Sequence, residues 1–349
     1  MQMNTYIKGS VPRHGSALSL WCGGGLTPVL QIKTHNRSDH THTKEIIKQL
    51  NYSGEKWWKF MDKNTHDDMN DAMENKFMPM ISFRSGMGQE VIPDLYCYTN
   101  QIVNLYVIGN PLKAKKWVLV DTGMPESTNR IVEVVEERFG ENSKPKAIIL
   151  THGHFDHVGA VVDLAEKWDV PVYAHEYELP FLTGKSRYPE PDGTVEGGLV
   201  AKMSPMFPNE PIDLGNKIEP LPSDGRVPYL PSWRWLHTPG HAPGHISLFR
   251  DKDRVLIAGD AFVTVKQESL YRVLTQDKEI NGPPRYLTTD WEAARASVKK
   301  LEALNPAVAV TGHGQPMSGK ELSEGLNYLV KEFDRIAIPD YGRYVNRKH

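Results

Sequence analysis

Two patterns of apolar and polar positions divide the chain near residue 81. From Lys33 to Lys76 the chain is polar and has no sustained period, whereas apolar runs with strand or helix spacing become dense from Ile81 onward. We therefore predict a polar N-terminal extension over residues 1–80, which is either mobile or a short helical arm. A folded domain is predicted over 81–336 and a C-terminal tail over 337–349.

Apolar runs with the features of strands recur through the predicted domain. Val91–Tyr98 and Ile102–Ile108 are rich in β-branched and aromatic residues and are separated by residues 99–101, a pattern typical of a β-hairpin. Shorter strands are predicted at Trp117–Val120, Ala147–Leu150, Trp233–Leu236, Ile246–Phe249, Val255–Ala258 and Ala307–Val310.

Amphipathic helices are predicted between these strands. One carries Ile131, Val134, Val135 and Phe139 on one face and ends at Gly140, and another runs from about 160 to 168. Two more follow in the second half: a helix that Asp290 caps, and a last helix for which Ser318 and Glu321 form a capping box. Strands and helices therefore alternate in two comparable halves.

Composition and charge narrow the classes of function. Apolar residues make up 39% and charged residues 24% of the chain, as in soluble globular proteins. Because 41 basic residues stand against 43 acidic ones without a basic stripe, we expect no nucleic-acid partner. No run approaches the roughly 18 apolar residues of a membrane-spanning helix, so we expect no membrane partner.

Cysteine use favours a reducing compartment. Cys22 and Cys97 are too few for a disulfide framework and do not form a metal-binding CxxC motif. The stretch Ala17–Ile32 is the one candidate for a secretory signal, and glycines and a proline interrupt it. We expect a cytoplasmic protein, with secretion as the alternative.

A cluster of metal-ligand side chains follows the predicted strand at Ala147–Leu150. The segment THGHFDHVG places four such residues within six positions: His152, His154, Asp156 and His157. In an extended segment the first three side chains point the same way, because the strand period is two. Imidazole suits zinc, and a neighbouring carboxylate suits a second cation.

Matching residues downstream strengthen the prediction of a metal site. His241, Asp260 and His313 each come after an apolar strand, beside a glycine that allows a tight turn. Strand ends are where α/β proteins usually place their chemistry.

The set of motifs resembles the ordered motifs of the metallo-β-lactamase superfamily. These are LVDTG, THGHFDHVG, TPGHAPGH, IAGDAF and VTGHG, and the resemblance spans about Val91 to Phe333. It implies an α+β fold, a four-layer αββα sandwich in which two mixed β-sheets are flanked by helices and metals lie at one edge.

The resemblance also implies a role for each of the site residues. The first metal would be held by His152, His154 and His241, the second by Asp156, His157 and His313, and Asp260 would bridge both. Asp121 would brace the metal-bearing loops. The implied cofactors are two divalent metal ions, with zinc expected first and iron or manganese as alternatives. Asp156 and Asp260 are the predicted catalytic residues.

The implied activity is a dinuclear metal-dependent hydrolysis with a metal-bridging hydroxide as nucleophile. The expected substrate is a small molecule: an ester, lactone, thioester or phosphoester. The rival interpretation is a persulfide dioxygenase-like redox enzyme with one iron, because iron uses the same donors.

Single positions weigh against particular branches of the superfamily. The aspartate at 260 disfavours the β-lactamases that have six ligands, and His154 disfavours flavodiiron proteins, which have glutamate there. Hydroxyacylglutathione hydrolases have a sizeable helical region after the last ligand, whereas only one helix and a tail follow His313. Acyl-homoserine lactonases tend to have tyrosine where this chain has Val263.

The remaining histidines and one insertion receive weaker interpretations. His237 and His245 are predicted to be structural, and His175 either lines the pocket or packs. The segment Phe181–Trp235 is rich in proline, glycine and aromatic residues. In this fold such an insertion could cover the metals and shape an apolar pocket.

Overall fold

The computed structural model describes residues 82–113, 116–196, 198–267 and 269–345. The predicted extension over 1–80 and the last residues of the predicted tail lie outside the described residues. The boundaries proposed for these segments therefore remain predictions.

Strands and helices alternate along the described residues. The strands are β1 (Gly88–Ile92), β2 (Leu95–Asn100), β3 (Val103–Ile108), β4 (Val118–Val120), β5 (Ile148–Ile149), β6 (Val172–Ala174), β7 (Ile218–Pro220), β8 (Arg226–Val227), β9 (Leu230–His237), β10 (Ile246–Arg250), β11 (Val255–Ile257), β12 (Val308–Val310) and β13 (Met317–Ser318). The α-helices are α1 (Thr128–Phe139), α2 (Phe155–Val158), α3 (Val161–Trp168), α4 (Leu179–Leu182), α5 (Leu199–Met203), α6 (Leu270–Thr275), α7 (Trp291–Glu302), α8 (Gly319–Lys331) and α9 (Phe333–Ile336). Short 3₁₀ helices span Glu176–Glu178, Ser204–Met206 and Gly215–Lys217.

The strands of the described residues form two mixed sheets. The first contains β1 to β7 in chain order, antiparallel up to β4 and parallel from β4 to β7. The second has the order β13-β12-β11-β10-β9-β8, with β11 and β12 parallel and the other neighbours antiparallel.

Strand alternation builds three apolar layers from these two sheets. Val118 and Val120 face the core between the sheets, where residues such as Leu248 and Ile257 of the second sheet meet them. Leu119, between the two valines, faces the opposite way into a core with α1 and α3. A third core joins the second sheet to α7 and α8. The predicted αββα sandwich of two mixed sheets with outer helices is therefore confirmed.

Most predicted elements are present, with shifted ends. The predicted run Val91–Tyr98 was wrong as a single strand: β1 ends at Ile92 and β2 begins at Leu95, because Pro93 lacks an N–H and a turn forms there. The hairpin between β2 and β3 is confirmed, although its turn is formed by residues 101–102 rather than by the predicted 99–101.

The two predicted helix caps have different outcomes. Asp290 Oδ1 accepts a hydrogen bond from the Ala293 N–H at 2.9 Å, which confirms the cap of α7. The capping box at Ser318 was wrong, since its side chain makes no capping hydrogen bond. Ser318 belongs to β13 and pairs with Val308, so the strand sets its conformation.

The chain after α9 contacts the sandwich. Ala337 is buried in the core beside α7 and α8, and the Arg343 backbone N–H donates to the Asp192 carboxylate. Across the described residues we find no helix with the length and apolar character needed to cross a bilayer.

Candidate metal centre

The ends of strands from both sheets deliver the predicted ligands to one place. The loop after β5 carries His152 and His154, the β9–β10 turn carries His241, and the ends of β11 and β12 carry Asp260 and His313. The two sheets meet at this edge, where the Ile246 N–H donates to the Thr151 carbonyl at 2.9 Å.

Three overlapping groups of ligand atoms converge at this edge. In each group the candidate atoms lie within 4.8 Å of one another. The groups are His152, His154 and His241; His152, His157 and Asp260; and Asp156, His157 and His313. All seven side chains are at most 6% exposed. The structure therefore brings together every residue that the sequence motifs singled out as a ligand.

Asp260 lies between the other ligands. Its Oδ2 is 3.5 Å from His241 Nε2, 3.6 Å from His157 Nε2 and 3.3 Å from His313 Nε2. His241 belongs to the first predicted ligand set, whereas His157 and His313 belong to the second. The Asp260 carboxylate is therefore within reach of both sets.

The local fold differs from the prediction at Asp156. We expected an extended segment through 156, but it ends at His154, which precedes the helical turn α2. Asp156 is therefore turned towards His313, with Oδ2 to Nε2 at 3.3 Å, rather than grouped with His152 and His154. The helical turn therefore directs the side chain of Asp156 away from those of His152 and His154.

Hydrogen bonds from outside the cluster set which nitrogen of each histidine faces it. Asp121 accepts from His157 Nδ1 at 2.9 Å and from the Thr151 N–H at 2.8 Å. Thr151 Oγ1 donates to Asp121 and accepts from His152 Nδ1 at 3.0 Å. In each case Nδ1 is occupied, so Nε2 is left to face a metal.

The second sheet's histidines are oriented in the same way. His313 Nδ1 donates to the Ile102 carbonyl at 3.0 Å, and His241 Nδ1 lies 3.3 Å from Thr288 Oγ1. His154 is the exception, since its Nδ1 faces the cluster, 2.9 Å from His241 Nε2.

Buried atoms without a partner provide a test of whether the site fits a cation. Among the described residues, His152 Nε2, His157 Nε2, Asp156 Oδ1 and Asp260 Oδ1 are buried and have no hydrogen-bond partner. Such atoms are costly unless a ligand satisfies them. Imidazole and carboxylate donors suit zinc, iron and manganese, so the residues present fit divalent metal ions.

The electrostatics of the cluster differ from one histidine to another. Burial raises the pKa of Asp260, but the imidazoles of His313 and His157 outweigh burial and hold this pKa well below its usual range. Burial lowers the pKa of His313, whereas Asp260 and Asp156 raise it to about 10. Burial and the neighbouring imidazoles lower the pKa of His152 and His241, which favours the neutral rings that a metal requires.

Glu178 and Tyr188 connect the two loops that carry His152, His154 and His241. Glu178 is fully buried and accepts hydrogen bonds from the Gly153 N–H at 2.9 Å and the Gly244 N–H at 2.7 Å. Tyr188 hydrogen-bonds the same carboxylate. Burial raises the pKa of Glu178. No sequence pattern marked Glu178, because only the fold places it between these loops.

Asn104 has a similar role on the other side of the cluster. It is buried on β3 and its amide donates to the carbonyls of Thr311 and Gly314, at 2.8 and 2.7 Å. The loop that carries His313 is thereby attached to the first sheet.

Three further histidines among the described residues take structural positions. His245 Nε2 accepts from the Asp260 N–H at 2.8 Å, and its Nδ1 lies 3.0 Å from the Thr238 carbonyl. His175 and His237 stack with ring centroids 4.2 Å apart, and His237 hydrogen-bonds the Pro243 carbonyl at 2.8 Å. None of the three belongs to the ligand groups found among the described residues.

Comparison with known proteins identifies the family. The family model described as metallo-beta-lactamase superfamily matches residues 98–313. The chain is 49% identical to YflN of Bacillus subtilis (strain 168), described as a probable metallo-hydrolase, over 264 residues that cover 76% of this chain and all of YflN. It is 28% identical to YybB of the same organism, also described as a probable metallo-hydrolase, over 58% of this chain and 83% of YybB.

A solved structure is similar over a comparable length. The subclass B3 metallo-β-lactamase BJP-1 of Bradyrhizobium japonicum is 20% identical, with a TM-score of 0.49, over 76% of this chain and 96% of that protein. The family model covers more than half of the chain, and YflN aligns over its whole length. The chain therefore belongs to the metallo-β-lactamase superfamily and is a metallo-hydrolase of that family.

Proposed function

We propose that the chain is a dinuclear hydrolase of a small ester, lactone, thioester or phosphoester, with zinc as the expected metal. The observation that carries the proposal is the position of Asp260, whose Oδ2 is 3.3 to 3.6 Å from histidine nitrogens of both ligand sets. A carboxylate in that position is suited to bridge two cations, because its negative charge offsets their mutual repulsion.

The proposed ligands divide as the resemblance implies. His152, His154 and His241 would hold one ion, and Asp156, His157 and His313 the other. When bound, two divalent cations lower the pKa of a shared water towards neutrality and polarise the oxygen on which charge develops.

The chain's own residues contribute orientation and proton handling. Asp156 has two carboxylate oxygens, of which one would hold a metal ion and the other would orient the attacking water and accept its proton. Asp121 and Thr151 hold two of the imidazoles in the tautomer that ligation requires.

The redox alternative with one iron is not favoured. The relatives YflN and YybB are both described as probable metallo-hydrolases. A carboxylate in reach of both ligand sets also suits two ions better than one.

Metal analysis combined with a substrate panel tests the proposal. Full-length protein purified without added metal should contain close to two equivalents of metal by mass spectrometry. It should hydrolyse at least one of a panel of chromogenic esters, lactones, thioesters and phosphoesters, lose that activity with a chelator and recover it with zinc. One equivalent of iron together with no hydrolysis across the panel would overturn the proposal.

A further inference from the structure

A cavity of about 210 Å³ adjoins the metal centre at His154. His154 is one of its lining residues, and the ring of His154 also faces the cluster, with Nδ1 2.9 Å from His241 Nε2. The cavity is therefore one residue away from the atoms that would hold metal.

The walls of the cavity are mainly hydrocarbon. They include Phe155, which lies between two predicted ligands, together with Val158, Val162, Tyr188, Ile212 and Leu287. Phe155 and Leu287 also pack against a small apolar core formed largely by the insertion, where Phe155 and Phe207 have ring centroids 5.5 Å apart. The insertion Phe181–Trp235 therefore supplies part of the apolar lining of the cavity.

Polar side chains are few among the described lining residues, namely His154, Tyr188, Asn209 and Glu210. The Tyr188 hydroxyl already has two partners, since it hydrogen-bonds Glu178 and accepts from the Gly153 N–H. Glu210 is the one carboxylate among the described lining residues, and it pairs with Arg187 at 2.7 Å in an exposed position. No lysine or arginine is among those lining residues.

These features select one class of group. A carboxylate, sulfate or phosphate entering the cavity would lose hydration without finding a lysine or arginine among the lining residues, which is costly. A hydrocarbon group instead gains about 0.8 kcal/mol per buried methylene, or roughly fourfold in affinity for each one.

We propose that this cavity binds an uncharged hydrocarbon group attached to the scissile bond of the substrate. The inference rests on the proposed function for its link to catalysis. At roughly 30 Å³ for a group the size of a water molecule, the cavity has room for about seven such groups. The preferred substrates are therefore esters, thioesters or lactones with a medium-length alkyl chain.

Binding of N-alkylacetamides separates the cavity from the chemistry, because amides resist hydrolysis on the timescale of calorimetry. We expect the affinity of full-length protein to rise about fourfold per methylene from ethyl to hexyl and to level off beyond about seven carbons. The charged analogue 6-acetamidohexanoate should bind at least about tenfold more weakly than N-hexylacetamide. Equal affinity along the series, or equal affinity for the charged analogue, would overturn the proposal.

Two matched variants locate the effect. Val162→Trp fills part of the cavity from a half-buried position on α3 and should abolish the gain from butyl to hexyl. Val330→Trp places the same side chain at a half-buried position on α8, outside the cavity, and should behave as the unmodified protein. A chain-length gain that persists in Val162→Trp contradicts the assignment.

The two proposals fail separately. If the amide series shows the chain-length gain but no ester, thioester or lactone is hydrolysed, the proposed function fails and the cavity assignment stands. If esters are hydrolysed and amide affinity is independent of chain length, the cavity assignment fails and the proposed function stands.

Discussion

Glu178 and Gly244 are joined by a buried hydrogen bond of 2.7 Å from the glycine N–H to the carboxylate. The other oxygen of Glu178 accepts the Gly153 N–H at 2.9 Å. Gly153 separates His152 from His154, and Gly244 lies three residues after His241. One side chain thus ties together the two loops that carry the first ligand set.

Glu178→Gln should loosen this set, because an amide presents an N–H₂ donor to one of the two backbone N–H donors. A buried donor left without an acceptor costs about 1–3 kcal/mol, so we expect the free energy of unfolding to fall by that amount. Metal affinity should fall as well. Calorimetry and metal titration measure both, with the exposed Glu176→Gln as the control in the same turn. Unchanged metal affinity would show that the hydrogen bonds to Glu178 do not position the ligands.

Asp260→Asn should convert a two-metal site into a one-metal site. Asparagine keeps the shape of the side chain but removes the charge that offsets repulsion between two cations. The histidines of the first set remain, so we expect about one metal per chain and loss of most of the hydrolytic rate. Two tightly held metals with near-normal turnover in this variant would require another bridging residue.

His154→Ala and Asp156→Ala should each leave a folded protein with greatly reduced metal content and hydrolysis. Each removes a side chain from a different ligand group, which opens the coordination shell. Metal analysis and circular dichroism give the two measurements. Asp163→Ala, in the next helix, removes an exposed carboxylate that accepts a hydrogen bond from Thr128 Oγ1, and should change neither.

Cys97 should resist alkylation in the folded protein. It is 3% exposed, and burial raises the pKa of its thiol to about 12, so the reactive thiolate is scarce at pH 8. Iodoacetamide at pH 8, followed by mass spectrometry of the peptide that contains Cys97, should show labelling in guanidinium but not in buffer. Rapid labelling in buffer would mean that β2 opens readily.

A chain that begins near Met80 should fold and bind metal. The elements that carry the cluster all lie between β2 and β12, and the predicted extension precedes them. Solubility and metal content of the shortened protein provide the test. An insoluble or metal-free product would mean that residues before 80 contribute to the core or to an oligomer contact.

The sequence alone determined which residues are available for the site and the order in which strands present them. Local pattern was sufficient for this, because a short apolar strand followed by histidine, aspartate and glycine is a local signal. The continuous apolar run Trp117–Val120 likewise predicts a buried strand without any knowledge of its neighbours. The cap at Asp290 was found for the same reason, since it depends on a side chain and a backbone N–H three residues apart.

Only the tertiary structure decided how these local pieces meet. Asp156 turned away from His152 and His154 because a helical turn begins after His154, and Ser318 lost its cap to strand pairing with β12. Glu178 and Asn104 carried no local signal, since their partners are distant in the chain: Gly244 for one, Thr311 and Gly314 for the other. Contacts of that separation depend on how two sheets pack, and packing is a property of the whole chain rather than of any segment.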